Sequence, residues 1–163
     1  NTVDPDAAYA LGKAYRAEEQ NPLALRWLTR ALERNPLDPA IAQDLATLSR
    51  QDGKNKMARR AYESLVLFEP RLVENHLWLA RLQRKLGDLY LAETTIERAY
   101  ALANKNIPTI VEKAVIQAKI ANLSPHKKER RDAAQRTRDT IDHLLDVAPQ
   151  HPAAKAILNS LDD

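Results

Sequence analysis

Cysteine is absent from this chain, which removes disulfides, zinc–thiolate centres and thiol nucleophiles at once. The absence leaves the compartment open, because cysteine-free chains work in the cytosol and the periplasm alike. Glycine is scarce, with three in 163 residues, and no glycine-rich loop exists to cradle a phosphate. No run of alternating β-branched residues is long enough to suggest a sheet. No apolar run approaches the roughly 20 residues that span a bilayer. Charge of one sign is hardly in excess: 25 basic against 22 acidic side chains, net +3. A dedicated nucleic-acid binder concentrates its charge more strongly. The chain opens at Asn1 with neither a methionine nor a signal-like segment, which fits a fragment whose targeting or anchoring part lies outside it.

What is present is helical. The 44% hydrophobic and 29% charged content is that of a soluble globular protein, and 163 residues suffice for one domain with a sizeable core. Abundant Ala, Leu, Arg, Glu and Lys favour helix nearly throughout, so the expected fold class is all-α. A row of positions then recurs. Ala24, Leu28, Ala31 and Pro36 return as Ala58, Tyr62, Leu65 and Pro70, and again as Ala92, Ile96, Ala99 and Asn104. Leu11-Gly12, Leu45-Ala46 and Leu79-Ala80 follow the same step of about 34 residues, room for two short helices per unit.

The expected units run over about 5–38, 39–72 and 73–106. Asp4-Pro5 and Asn21-Pro22 read as helix starts, and Gly53 and Gly87 as left-handed turn residues after helix ends. Ala8, Leu11, Gly12 and Tyr15 are expected on one inner face of the first helix. Gly12 and Ala24 are expected to let the two backbones approach. The fourth unit, about 107–151, departs from the period. Lys113 stands where earlier units have leucine, and Pro149 comes late by about 11 residues. The insertion is placed around Asn122 to Arg136, with a long second helix from about His126 to Val147 and a short capping helix over 152–161.

The row Ala8, Leu11-Gly12, Tyr15, Ala24, Leu28, Ala31 and Pro36 resembles the tetratricopeptide repeat, although Ser49 and Gln83 replace the tyrosine and no unit has tryptophan at its first position. The resemblance implies a right-handed superhelical solenoid whose concave face holds the first helix of each unit. It also implies protein or peptide binding there, without catalysis and without a cofactor. A narrower likeness joins the degenerate fourth unit, its long charged helix and the run Ile141 to Ala154 to the periplasmic repeat domains of cytochrome c maturation accessory proteins. Those haem lyase partners hold the C-terminal helix of an apocytochrome c, which implies a periplasmic location. A cytoplasmic location is the alternative.

In that register the second, fifth, ninth and twelfth places of each unit point into the groove. The candidate peptide-binding residues are Tyr9, Lys13 and Arg16; Gln43, Thr47 and Arg50; Leu77, Arg81 and Arg84; and Val111 and Val115. Arginine's planar fork pairs carboxylates bidentately, so the expected ligand is an acidic or C-terminal segment, with an amphipathic helix as one form of entry. The competing reading is that these arginines pair with Asp and Glu of neighbouring helices. The carboxylate-clamp form of the repeat uses asparagines where this chain has Lys13 and Thr47, and that clamp is not carried over.

Other features read as structural. The basic run Lys127, Lys128, Arg130, Arg131, Arg136, Arg138 is read as the wet face of a long helix. It lacks interleaved aromatics for nucleic acid. His76, His126, His143 and His151 show no ligand spacing. Ser124 near His126 lacks a nucleophile elbow, and other carboxylates are expected in i, i+4 pairs. Trp27 and Trp78 are read as packing residues. The sequence therefore points to a non-enzymatic interaction module. The alternatives are an assembly scaffold of a secretion, pilus or other complex, with self-association, and a regulatory repeat domain of a larger protein.

Overall fold

A computed structural model describes residues 3–161, and every described element is helical. The chain divides into two compact units, residues 1–75 and 76–163. The first contains α1 (Pro5–Ala17), α2 (Asn21–Arg34), α3 (Pro39–Gln51) and α4 (Asn55–Phe68). α5 (Val73–Lys85) carries the boundary, and α6 (Leu89–Leu102), α7 (Ile107–Leu123), α8 (Lys127–Val147) and α9 (Pro152–Leu158) complete the second.

The starts recur at the sequence period because the start signals do. Asp4 Oδ1 accepts from Asp6 N at 3.1 Å, Asp38 Oδ1 from Ala40 N and Ile41 N at 2.9 and 3.1 Å, and Asn106 Oδ1 from Thr109 N at 3.0 Å. Each satisfies backbone donors that a helix start leaves open. The turns within the first three pairs also share one geometry. Gly53 has φ 66°, Gly87 has φ 90°, and Glu19, at the same place in the first pair, has φ 58°. The next N–H returns in each case to a carbonyl five residues back: Gln20 to Tyr15, Lys54 to Ser49 and Asp88 to Gln83. This is the Schellman closure that needs a left-handed residue.

In the first unit α1 packs on α2, α2 on α3 and α3 on α4. Ala24, Leu28, Ala31, Ile41, Leu45, Ala58 and Leu65 are 0–1% exposed. A Cβ on Gly12 would lie 2.8 Å from Leu28 Cδ2, so the missing side chain is what lets α1 lie on α2. Leu11 corrects an expectation: it is 39% exposed, whereas Leu45 at the same repeat place is 0% exposed. Leu45 lies on α3, which packs against the preceding helix α2; no described helix precedes α1.

The second unit has α6 on α7, α7 on α8, and α9 against both α7 and α8. Ile110, Ala114, Ala118, Ile141 and Leu144 form its core with Ala154 and Ile157 of α9, so α9 caps that core. The extra residues are shared between two helices. α7 has 17 residues against 13 in α1, and α8 has 21 against 14 in α2. Lys113, in the leucine place, finds polar partners at the edge of the core: its Nζ is 3.0 Å from Glu97 and 3.9 Å from the Tyr100 ring centre.

Candidate functional site

In the first unit, Tyr9, Lys13 and Arg16 lie along one face of α1 at helical spacing, opposite a carboxylate of α3. Tyr9 Oη donates to Asp44 Oδ2 at 2.8 Å, and Arg16 Nη1 to Asp44 Oδ1 at 3.0 Å. Lys13 Nζ sits 4.5 Å over the Tyr9 ring centre and remains exposed. Burial pushes the Tyr9 phenol up to about 12, helped by the bond to Asp44 and by its charge. Further along the same row, the Thr47 hydroxyl donates to the Gln43 carbonyl at 2.8 Å, and Gln43 itself is exposed. Arg50 Nη1 donates to Tyr62 Oη at 3.3 Å. Burial raises the Tyr62 phenol, against the opposing effect of Arg50.

The second unit builds the same device around Glu112 of α7. Arg84 Nε donates to Glu112 Oε1 at 2.5 Å, and Arg81 Nε lies 3.5 Å from Oε2. The Glu112 side chain is only 7% exposed, so its charge depends on these two guanidiniums. Arg81 also stacks 4.8 Å from the Trp78 ring centre. Leu77 is a correction to the site: at 2% exposed it is a core residue and offers no contact. Val111 and Val115 are half-buried and pack against the second unit's core.

The sequence reading missed Asp44 and Glu112. Both occupy the same repeat place, and each faces the arginine 28 positions earlier, Arg16 or Arg84. That fixed offset between a basic and an acidic place is the signal that would have found them. Arg16, Arg81 and Arg84 therefore hold carboxylates on a neighbouring pair's first helix, as the competing reading had it. Among the described residues Arg59–Glu63 is an i, i+4 pair, whereas Arg60–Glu33 and Arg136–Glu93 join different helices.

The remaining candidates are held structurally. Ser124 donates to Glu129 Oε2 at 2.5 Å, and this bond holds the Glu129 carboxyl below its usual range. His143 Nε2 is 2.7 Å from the Asn104 carbonyl, with its ring edge-on to Tyr100. Among the described residues no three His, Asp or Glu side chains converge to hold a metal, and no helix is long and apolar enough to cross a membrane.

No curated protein matches the chain. Residues 73–106 match the family model "Tetratricopeptide repeat". Solved structures similar in fold include MamA protein, 12% identical over 94% of this chain and 78% of that one, with TM-score 0.71. YrrB, described as a TPR protein with an unusual peptide-binding site, is 18% identical over 93% of this chain and 73% of its own, with TM-score 0.67. The first TPR of Spaghetti (RPAP3), bound to the HSP90 peptide SRMEEVD, is 13% identical over 76% and 89%, with TM-score 0.62. Folds of this kind serve in general as scaffolds for protein interactions. Residues 73–106 are a tetratricopeptide repeat, and the helix pairs on either side of them give the chain the tetratricopeptide-repeat fold.

Proposed function

We propose that the chain is a non-enzymatic interaction module that takes a peptide or helix of a partner protein on its first helices, α1 and α3 in the first unit and α5 and α7 in the second. One observation carries the reading. Around each central carboxylate the row supplies one cation more than it consumes: Arg16 with Lys13 against Asp44, and Arg81 with Arg84 against Glu112. The paired arginines are fixed in place by the fold, so a carboxylate arriving beside them meets donors that need little ordering. The half-buried Val111 and Val115 add apolar contact. The ligand is accordingly an acidic or C-terminal segment, and two similar folds are described with peptides or a peptide-binding site.

The narrower occupant we propose is the C-terminal helix of an apocytochrome c in the periplasm, on the resemblance of the long charged helix and the run from Ile141 to Ala154. Lys13→Glu with Gln43→Glu tests the groove. Both side chains are exposed and hold no other helix. The expected result is a loss of about tenfold or more in affinity for a fluorescent C-terminal helix peptide of apocytochrome c or for an acidic helical peptide. Unchanged affinity for both contradicts the groove. Loss with the acidic peptide and no binding of the cytochrome peptide removes the narrower occupant alone.

A further inference from the structure

α8, seven residues longer than α2, builds a second surface, away from the first-helix row. Together with the end of α7 its N-terminal half encloses an open cleft of about 650 Å³ in the second unit. Lys127, Arg130, Arg131 and Arg138 line it, and the small side chains Ala121 and Ala134 form part of its lining. Among the described residues no carboxylate lines it. Glu129, on the same helix, is engaged by Ser124 at 2.5 Å and by Tyr90 at 3.0 Å, and Asp139 accepts from Gln135 at 2.8 Å. Arg130 is anchored to the Ser124 carbonyl at 3.0 Å. Among the described residues Lys127, Arg131 and Arg138 make no ion pair. This contrasts with Arg16, Arg81 and Arg84, whose charges the fold itself pairs.

The cations are arranged in a line. Lys127, Arg131, Ala134 and Arg138 follow the spacing of a single helix face. At about 1.5 Å per residue they extend over roughly 16 Å, the length of about five residues of extended chain. Like charges concentrated along a cleft without counter-charge focus a positive potential, and small side chains leave room for a backbone to approach. We infer that this cleft binds an extended acidic peptide segment of a partner protein, its carboxylates paired in succession with Lys127, Arg131 and Arg138. Among the described residues the lining has no aromatic on which a base could stack, and no large apolar side chain to enter a lipid surface.

The inference is independent of the first-helix groove and is tested separately from it. The probe is fluorescent hexaglutamate, titrated by anisotropy into the full chain at low salt. Binding is expected, with an affinity that falls as salt rises. The titrations use the Lys13→Glu, Gln43→Glu chain, in which the first-helix groove is removed, and there Arg131→Glu with Arg138→Glu should weaken binding about tenfold or more. Helicity by circular dichroism checks the fold; should the reversed pair lose it, Arg131→Gln with Arg138→Gln is expected to weaken binding in the same direction. No binding of hexaglutamate, or undiminished binding by the folded cleft variant, overturns the inference. So does tighter binding of an oligothymidylate or of phosphatidylserine vesicles than of the peptide.

Discussion

Two residues of the first helix pair show how backbone geometry and close packing select side chains in this chain. Glu19 sits at φ 58°, a region that costs an ordinary residue roughly 1–2 kcal/mol. Glycine stands at the corresponding places, Gly53 and Gly87. Glu19→Gly should therefore raise stability by up to about 1 kcal/mol, after the greater freedom of glycine in the unfolded chain is subtracted. Thermal unfolding measures it, and a lower midpoint contradicts the assignment. Gly12 is the converse. Alanine there would gain about 1 kcal/mol of helix propensity, but its Cβ would meet Leu28 Cδ2 at 2.8 Å, Cγ at 2.9 Å and N at 3.2 Å. Leu28 is 0% exposed and has nowhere to go. Overpacking of this kind costs about 1–3 kcal/mol, so Gly12→Ala should lower the same midpoint.

Between elements of each unit, the contacts that join one pair to the next are polar on the first helices and apolar beneath them. Tyr9 of α1 reaches Asp44 of α3, and its phenol is raised from 10.0 to about 12. The folded state thus favours the protonated phenol. This contribution is fully present below the usual tyrosine range and is lost as pH rises through about 12. Tyrosinate absorbance of the native chain, with Tyr9→Phe subtracted, should show Tyr9 ionising near 12; a transition near 10 would mean that α1 and α3 are not joined through this bond. The apolar layer was legible in the sequence because Ala, Leu and Ile recur at a fixed step. The polar joints were harder to see. Asp44 and Glu112 recur two units apart, with Trp78 at the intervening place, so no consecutive pair of units displays the acid. Leu11 misled for a different reason: periodicity marks the face a residue occupies, and exposure depends on whether another helix covers that face. Leu77 failed similarly, since a groove place read by register alone carries no information about depth. The long α7 and α8 could be placed from Pro149 and Ser124-Pro125, because prolines mark helix boundaries whatever the packing.

For the molecule as a whole, the helix-pair fold follows from the period, and the choice of partner does not. Side chains on the groove face are free of the packing demands that repeat themselves every unit, so the residues that would select a ligand carry the weakest pattern. What they do carry is charge. Within each unit a fixed carboxylate is surrounded by more cations than it neutralises, and the proposed gripping of an acidic partner by the first helices rests on that imbalance. Backbone amide shifts, followed by NMR while an acidic helical peptide is titrated into the isotopically labelled chain, test it most directly. The account predicts that the perturbed amides fall on α1, α3 and the Arg81–Arg84 stretch of α5, with Lys13 and Thr47 among them. Shifts confined to the outward faces of α2, α4 and α6, or no shifts at any peptide concentration, would contradict it.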